Sequence, residues 1–183
     1  MRILRAAERA ATPWKNGGGI TREVAAWPPG SSFDAFEWRV SLAEVNGDGP
    51  FSVFPNVDRI LAVLRGRLVL RVGGRELAVT PETPPAVFPG DAPTFGGVVE
   101  GPVHDLNLMA RRGVVRPRLE RLMVDGAYAL AASPAQRLVI PIDGKLWCGD
   151  ALAELDALSL EPGEAVGLQA DAPTTVYVAS FER

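Results

Sequence analysis

The side chains best suited to chemistry in this chain are two arginines on strand-like segments. Arg39 lies in EWRVSLAEV (37–45) and Arg59 opens RILAVL (59–64). A guanidinium stays charged at any working pH and offers paired N–H donors that match the two oxygens of a carboxylate. In the first segment Trp38, Val40 and Leu42 share one face and Arg39, Ser41 and Ala43 the other, so Ser41 can add a hydroxyl donor beside Arg39. A second alternating run, VHDLNLM (103–109), sets Asp105 and Asn107 on one face and His104, Leu106 and Leu108 on the opposite one. Lys15 and Asn16 precede the run Gly17-Gly18-Gly19, where backbone N–H groups and a point charge suit an anion. The glycine run does not follow a clear strand and open a helix, so a nucleotide phosphate loop is not indicated.

Equally informative is what is scarce. The chain has one histidine, His104, and one cysteine, Cys148. A lone cysteine makes neither a disulfide framework nor a thiolate zinc site. His104 cannot use Asp105 to orient it, because neighbours on a strand point opposite ways. Cys148 has no evident base partner and reads as inert.

The elements that must hold these residues are strands. The 183 residues are 47% hydrophobic and 22% charged, an ordinary globular composition. Glycines (19) and prolines (16) are scattered through the chain, at intervals that favour short strands. Gly73-Gly74 between RLVLRV and RELAVT reads as a two-residue hairpin, and Pro89-Gly90-Asp91 as a turn. The segment ILRAAERAA has helical propensity but is too short to be stable alone. RRGVVRPRLER (111–121) holds five arginines and one glutamate and reads as a salt-bridged joint. Beyond it the strand rhythm resumes, with turns at Ser133-Pro134, Asp143-Gly144, Gly149-Asp150 and Pro162-Gly163. The expectation is an all-β chain of two antiparallel β units, 1–112 carrying the ligand site and 113–183 the second.

The rhythm LAVLRGRLVLRVGGRELAV followed by a PGD turn resembles a cupin barrel. Metal-binding cupins place two histidines and a glutamate ahead of a glycine. With that glycine on Gly66, the glutamate position falls on Arg59 and the histidine positions on Ser52 and Phe54, or on Val53 and Pro55. The histidine of the second motif falls on Pro93, or on Val166 when counted from Gly163. None of these is a usual metal ligand, so no metal and no other cofactor is expected. A guanidinium where a carboxylate would stand turns a cation site into a candidate anion site. Phe54, near a ligand position, joins the candidate site.

PWKNGGGITREV (13–24), WRVS (38–41), DGPFSVFPNVDR (48–59), FPGD (88–91) and GPVHDLNLMARR (101–112) together resemble the HutD/Ves family of bicupin-like proteins. The PWKNGGG block is closer to the HutD branch than to Ves. One departure is Asn56, where the family usually has glycine; asparagine tolerates positive φ better than most residues. The resemblance implies two stacked cupin-like barrels, and binding of a small acidic intermediate of histidine breakdown, such as formylglutamate, formiminoglutamate or urocanate, that restrains the pathway.

Two other functions stay open on the residues. One is a metal-independent isomerase or epimerase, drawing on His104, Tyr128, Tyr177, Lys15 and the carboxylates. The other is a surface interaction or stress-response module, including a homodimer. The net charge of −3 and the lack of aromatics among the joint's arginines speak against nucleic acid. No apolar run is long enough for a membrane helix, and the charged N-terminal stretch is unlike a signal peptide, so the expected compartment is the cytoplasm.

Overall fold

The computed structural model describes residues 1–15 and 17–183. The strands are β1 (Arg2–Leu4), β2 (Ala11–Pro13), β3 (Gly19–Trp27), β4 (Trp38–Val45), β5 (Gly49–Pro50), β6 (Val57–Val72), β7 (Arg75–Val79) and β8 (Ala86–Pro89). There follow β9 (Thr94–Arg111), β10 (Arg116–Leu130), β11 (Gln136–Pro141), β12 (Leu146–Trp147), β13 (Ala151–Leu152), β14 (Ala157–Leu160) and β15 (Val166–Glu182). The described residues hold no α-helix, only a 3-10 turn at Ala6–Glu8. The segment ILRAAERAA is thus not helical: Arg2–Leu4 pairs with Ala157–Ser159, and its backbone is satisfied by a sheet edge far along the chain. Among the described residues no helix is long and apolar enough to cross a membrane.

The chain divides into two compact units, Ala10–Val115 and Met1–Arg9 with Arg116–Arg183. The expected division ran 1–112 and 113–183. The strand pairing of β1 with β14 gives the first nine residues to the C-terminal unit. In that unit the sheet order is β1-β14-β11-β15-β12-β13, with β10 also on β15. Its core gathers Val124, Val139, Leu146, Leu152, Leu158, Leu160, Leu168, Val176 and Val178. Asp156 ties the N-terminal stretch down. It accepts from the Arg5 guanidinium (2.8 Å) and from the Ala6 N–H (2.7 Å).

The unit Ala10–Val115 is an eight-stranded antiparallel sheet, β2-β3-β4-β9-β6-β7, with β5 on β9 and β8 on β6. Two long strands carry it. β6 pairs β8 over its first half and β7 over its second, while β9 pairs β4 at one end and β5 at the other. The sheet therefore folds over on itself, and Val45, Leu61, Val63 and Val103 meet Leu68, Leu70, Val72 and Val79 in one core. The hairpin at Gly73-Gly74 closes as the sequence predicts, both glycines at positive φ (52 and 84°). The runs 59–64 and 67–72, read as two strands, are one strand with a bulge, where the β6–β9 register slips between Val63 and Leu68. Gly66 sits there at φ +82°, and a Cβ on it would lie 2.5 Å from the Glu100 carbonyl oxygen.

Gly66→Ala meets both obstacles, a left-handed backbone and a neighbour that is main chain. It is expected to lower stability by roughly 2–3 kcal/mol. The melting midpoint should fall by about 5–10 °C, and an unchanged thermal melt would contradict the assignment.

Candidate functional site

Strand register builds the site. Arg59 on β6 lies opposite Met109 on β9, which lies opposite Arg39 on β4. One step along the same face, Leu61, Asn107 and Ser41 line up, and one step further Val63, Asp105 and Ala43. The polar side chains Arg39, Ser41, Arg59, Asp105 and Asn107 therefore share the face that also carries the core of this unit. His104 faces the other way, opposite Glu44 and Arg65.

Arg59 is the centre of the group, only 5% exposed. Its Nε donates to Asn107 Oδ1 at 3.3 Å. The guanidinium carbon lies over the rings of Phe51 (4.8 Å) and Phe88 (5.2 Å), which meet edge to face. Aromatic rings hold a cation by their quadrupoles, and the two terminal N–H₂ groups of a guanidinium are the donors that match a carboxylate. Phe88 reaches this place because β8 pairs β6 with Phe88 opposite Arg59. Burial lowers the Arg59 pKa to about 10, and the charge of Asp105 partly offsets this.

Asp105 is 2% exposed and its Oδ1 has no hydrogen-bond partner. Burial pushes its carboxyl up to about 7, against the pull of Arg59. The attraction acts through space, since the hydrogen-bond partner of the guanidinium is Asn107. Ser41 is buried beside Asn107.

The other predicted site residues stand apart from this cluster. Arg39 is already neutralised: its Nε donates to Glu23 at 2.7 Å, and its guanidinium stacks on Phe33 at 4.5 Å. Glu23 stands opposite Ser41 on β3, diagonal to Arg39, which puts that carboxylate within reach. The expected clamp of two unpaired guanidiniums is therefore not what the fold holds. Phe54 packs with Phe33 and Phe36 in an aromatic group that also contains Val57 and Met109. Lys15 is exposed in the turn between β2 and β3, where Gly17 N–H donates to Trp14 O. Asn16 lies outside the described residues. Trp14 beside them packs against the core and donates to Thr21 Oγ1 at 2.8 Å.

Sequence reasoning singled out neither Phe51 nor Phe88. The signal for Phe88 was its place one residue before the Pro89-Gly90-Asp91 turn, which fixes β8 on the first half of β6. That turn is held tightly. Gly90 exchanges backbone bonds with Val57 and Phe54, and Arg112 bridges Asp58 and Asp91. Asn56 takes φ 58°, so the loop keeps its shape without glycine.

The metal that many barrels of this type hold does not fit these donors. The inner wall offers a guanidinium, one carboxyl pushed toward neutrality and an amide, a set that repels a divalent cation. Among the described residues no three His, Cys, Asp or Glu side chains gather to hold one. The thiol of Cys148 is buried in the other unit and pushed up by that burial.

Fold and site together define a cupin-like antiparallel β-barrel protein whose inner polar group is built on a buried arginine. The chain belongs to the HutD family, whose model matches residues 6–178. It is 33% identical over 145 residues to Protein Ves of Citrobacter koseri, covering 78% of this chain and 73% of that one. It is 31% identical over 167 residues to a 21.2 kDa Pseudomonas putida protein from the hutC 3′ region, covering 87% and 83%. Among solved structures, a Pseudomonas aeruginosa PAO1 protein of unknown function superposes with TM-score 0.90 at 31% identity, over 100% of this chain and 98% of that one. HutD from Pseudomonas fluorescens SBW25, in a formate condition, gives TM-score 0.83 at 26% identity, over 100% and 99%. Oxalate decarboxylase shares the fold alone, with TM-score 0.70 at 9% identity over 98% of this chain and 76% of that one.

Proposed function

We propose that Arg59, with Asn107 and Ser41, binds the carboxylate of a small acidic metabolite, and that the protein modulates histidine utilisation by holding this ligand without converting it. The observation that carries the reading is the state of Arg59: a buried guanidinium, held between two rings, with an amide rather than a carboxylate as its hydrogen-bond partner. Burying a charge without a contact counterion is unfavourable, and an arriving carboxylate relieves it. The likeness to a protein of the hutC 3′ region and to a solved HutD supports acids of histidine breakdown as the ligand class. The seven-stranded sheet of the other unit, with its own core, supports reading it as a second, degenerate barrel. We place the protein in the cytoplasm, acting without a metal or organic cofactor, nucleic acid or membrane, and open to forming a homodimer.

A melting screen with urocanate, formylglutamate and formiminoglutamate tests this. A ligand at about a hundredfold over its Kd should add about 2.7 kcal/mol, raising the midpoint by roughly 5–10 °C. The acid should be recovered unchanged. Turnover would favour an isomerase that uses Asp105 as its acid–base group, which titrates near neutrality. No shift with any acid of the set would end the binding reading.

A further inference from the structure

Asp105 is the odd member of an anion site. A ligand carboxylate on Arg59 gains nothing from a second carboxylate on the same wall. Yet Asp105 faces inward, 2% exposed, with Oδ1 lacking any hydrogen-bond partner. A buried acceptor left without a donor is unfavourable, and it is rare in a folded protein unless something else fills the role. The register shows where that something would lie. Asn107, which holds Arg59 Nε, is one same-face step from Asp105 on β9. Such a step is about 6.5–7 Å. Arg59 and Asp105 thus mark the two ends of a short polar strip, donor groups at one end and a lone acceptor at the other.

We infer that Asp105 accepts a hydrogen bond from the ligand, so that the site selects small carboxylates carrying an N–H donor close to the carboxylate over those that lack one. The inference rests on the carboxylate-binding reading above and makes Asp105 a specificity-determining residue. A site with a buried acceptor rejects an analogue without the donor strongly, because that acceptor is then left unpaired in the complex.

The test uses two probes of one shape. N-acetylglycine has an amide N–H next to its carboxylate, and O-acetylglycolate has an ester oxygen in its place. Titration calorimetry at pH 8, where Asp105 is ionised, should show the wild-type protein preferring N-acetylglycine by about tenfold or more. Asp105→Ala should bind both probes alike. Asp105→Asn, which keeps a side-chain oxygen, should retain part of the preference, and melting curves establish that both variants fold. Equal wild-type affinities for the two probes, both abolished by Arg59→Ala, would leave carboxylate binding intact and overturn the role of Asp105. A preference for O-acetylglycolate would mean that Asp105 stays protonated and donates to the ligand, and it would overturn the acceptor role as well. Binding of neither probe overturns both readings.

Discussion

Replacing Arg59 with alanine should weaken binding of the acid that gives the largest melting shift by roughly ten- to hundredfold. Among the described residues that the register places around Asn107, Arg59 is the cation whose hydrogen-bond partner is an amide, while the neighbouring Arg39 is already neutralised by Glu23 at 2.7 Å. Its loss therefore removes the whole charge-assisted anchor and not one of two. Arg59→Lys should recover only a fraction. An ammonium supplies charge but neither the planar face that lies over Phe51 and Phe88 at 4.8 and 5.2 Å nor a two-pronged grip on a carboxylate. The fold should persist in both variants, because β6 is held by its backbone pairing with β9 from Val57 to Val72 and by core residues such as Leu61, Val63 and Leu68. Calorimetric titration of the three proteins, with melting curves beside it, checks the effect. Equal affinities would leave Arg59 a purely structural residue.

Much of this site is legible in the sequence because strand alternation is local. The faces assigned to 37–45 and 103–109 follow from the two-residue period, and the paired register Ser41↔Asn107 and Ala43↔Asp105 places those faces side by side. Turn chemistry is local as well, which is why Gly73-Gly74 and Pro89-Gly90-Asp91 fall where the residues put them. Placing Arg59 at a ligand position needed the spacing to Gly66, a glycine that the bulge in β6 requires. What stayed hidden depends on partners distant in sequence. Glu23 reaches Arg39 across the β3–β4 pairing, where it stands opposite Ser41, and Phe88 comes to Arg59 through the pairing of β8 with β6. The nine N-terminal residues group with strands more than a hundred positions away, which no local period encodes.

Asp105 should make the protein less stable as pH rises from about 4 to about 7, and Asp105→Asn should remove that slope. Its carboxyl is raised in the folded state from 3.8 to about 7, because burial penalises the charged form more than Arg59 favours it. In an unfolded chain the same group ionises near its ordinary value. Between the two values the folded state holds the extra proton, so the derivative of unfolding free energy with pH is negative. Stability is highest below the unfolded value, declines across the window, and levels off above the folded one. The full decline is on the order of 4 kcal/mol if no other group compensates. Asparagine resembles the protonated carboxyl in size and polarity, and the attraction of Arg59 is already counted in the balance that keeps Asp105 protonated. The variant should therefore match the wild type near pH 4 and exceed it at pH 8, where the wild type carries a buried carboxylate. Denaturant unfolding of both proteins across this range measures the difference directly. A constant gap between the two curves would mean that Asp105 ionises in the folded state as an exposed carboxylate does, and a wild type that gains on the variant as pH rises would mean that its carboxylate meets a donor there; either result contradicts the prediction.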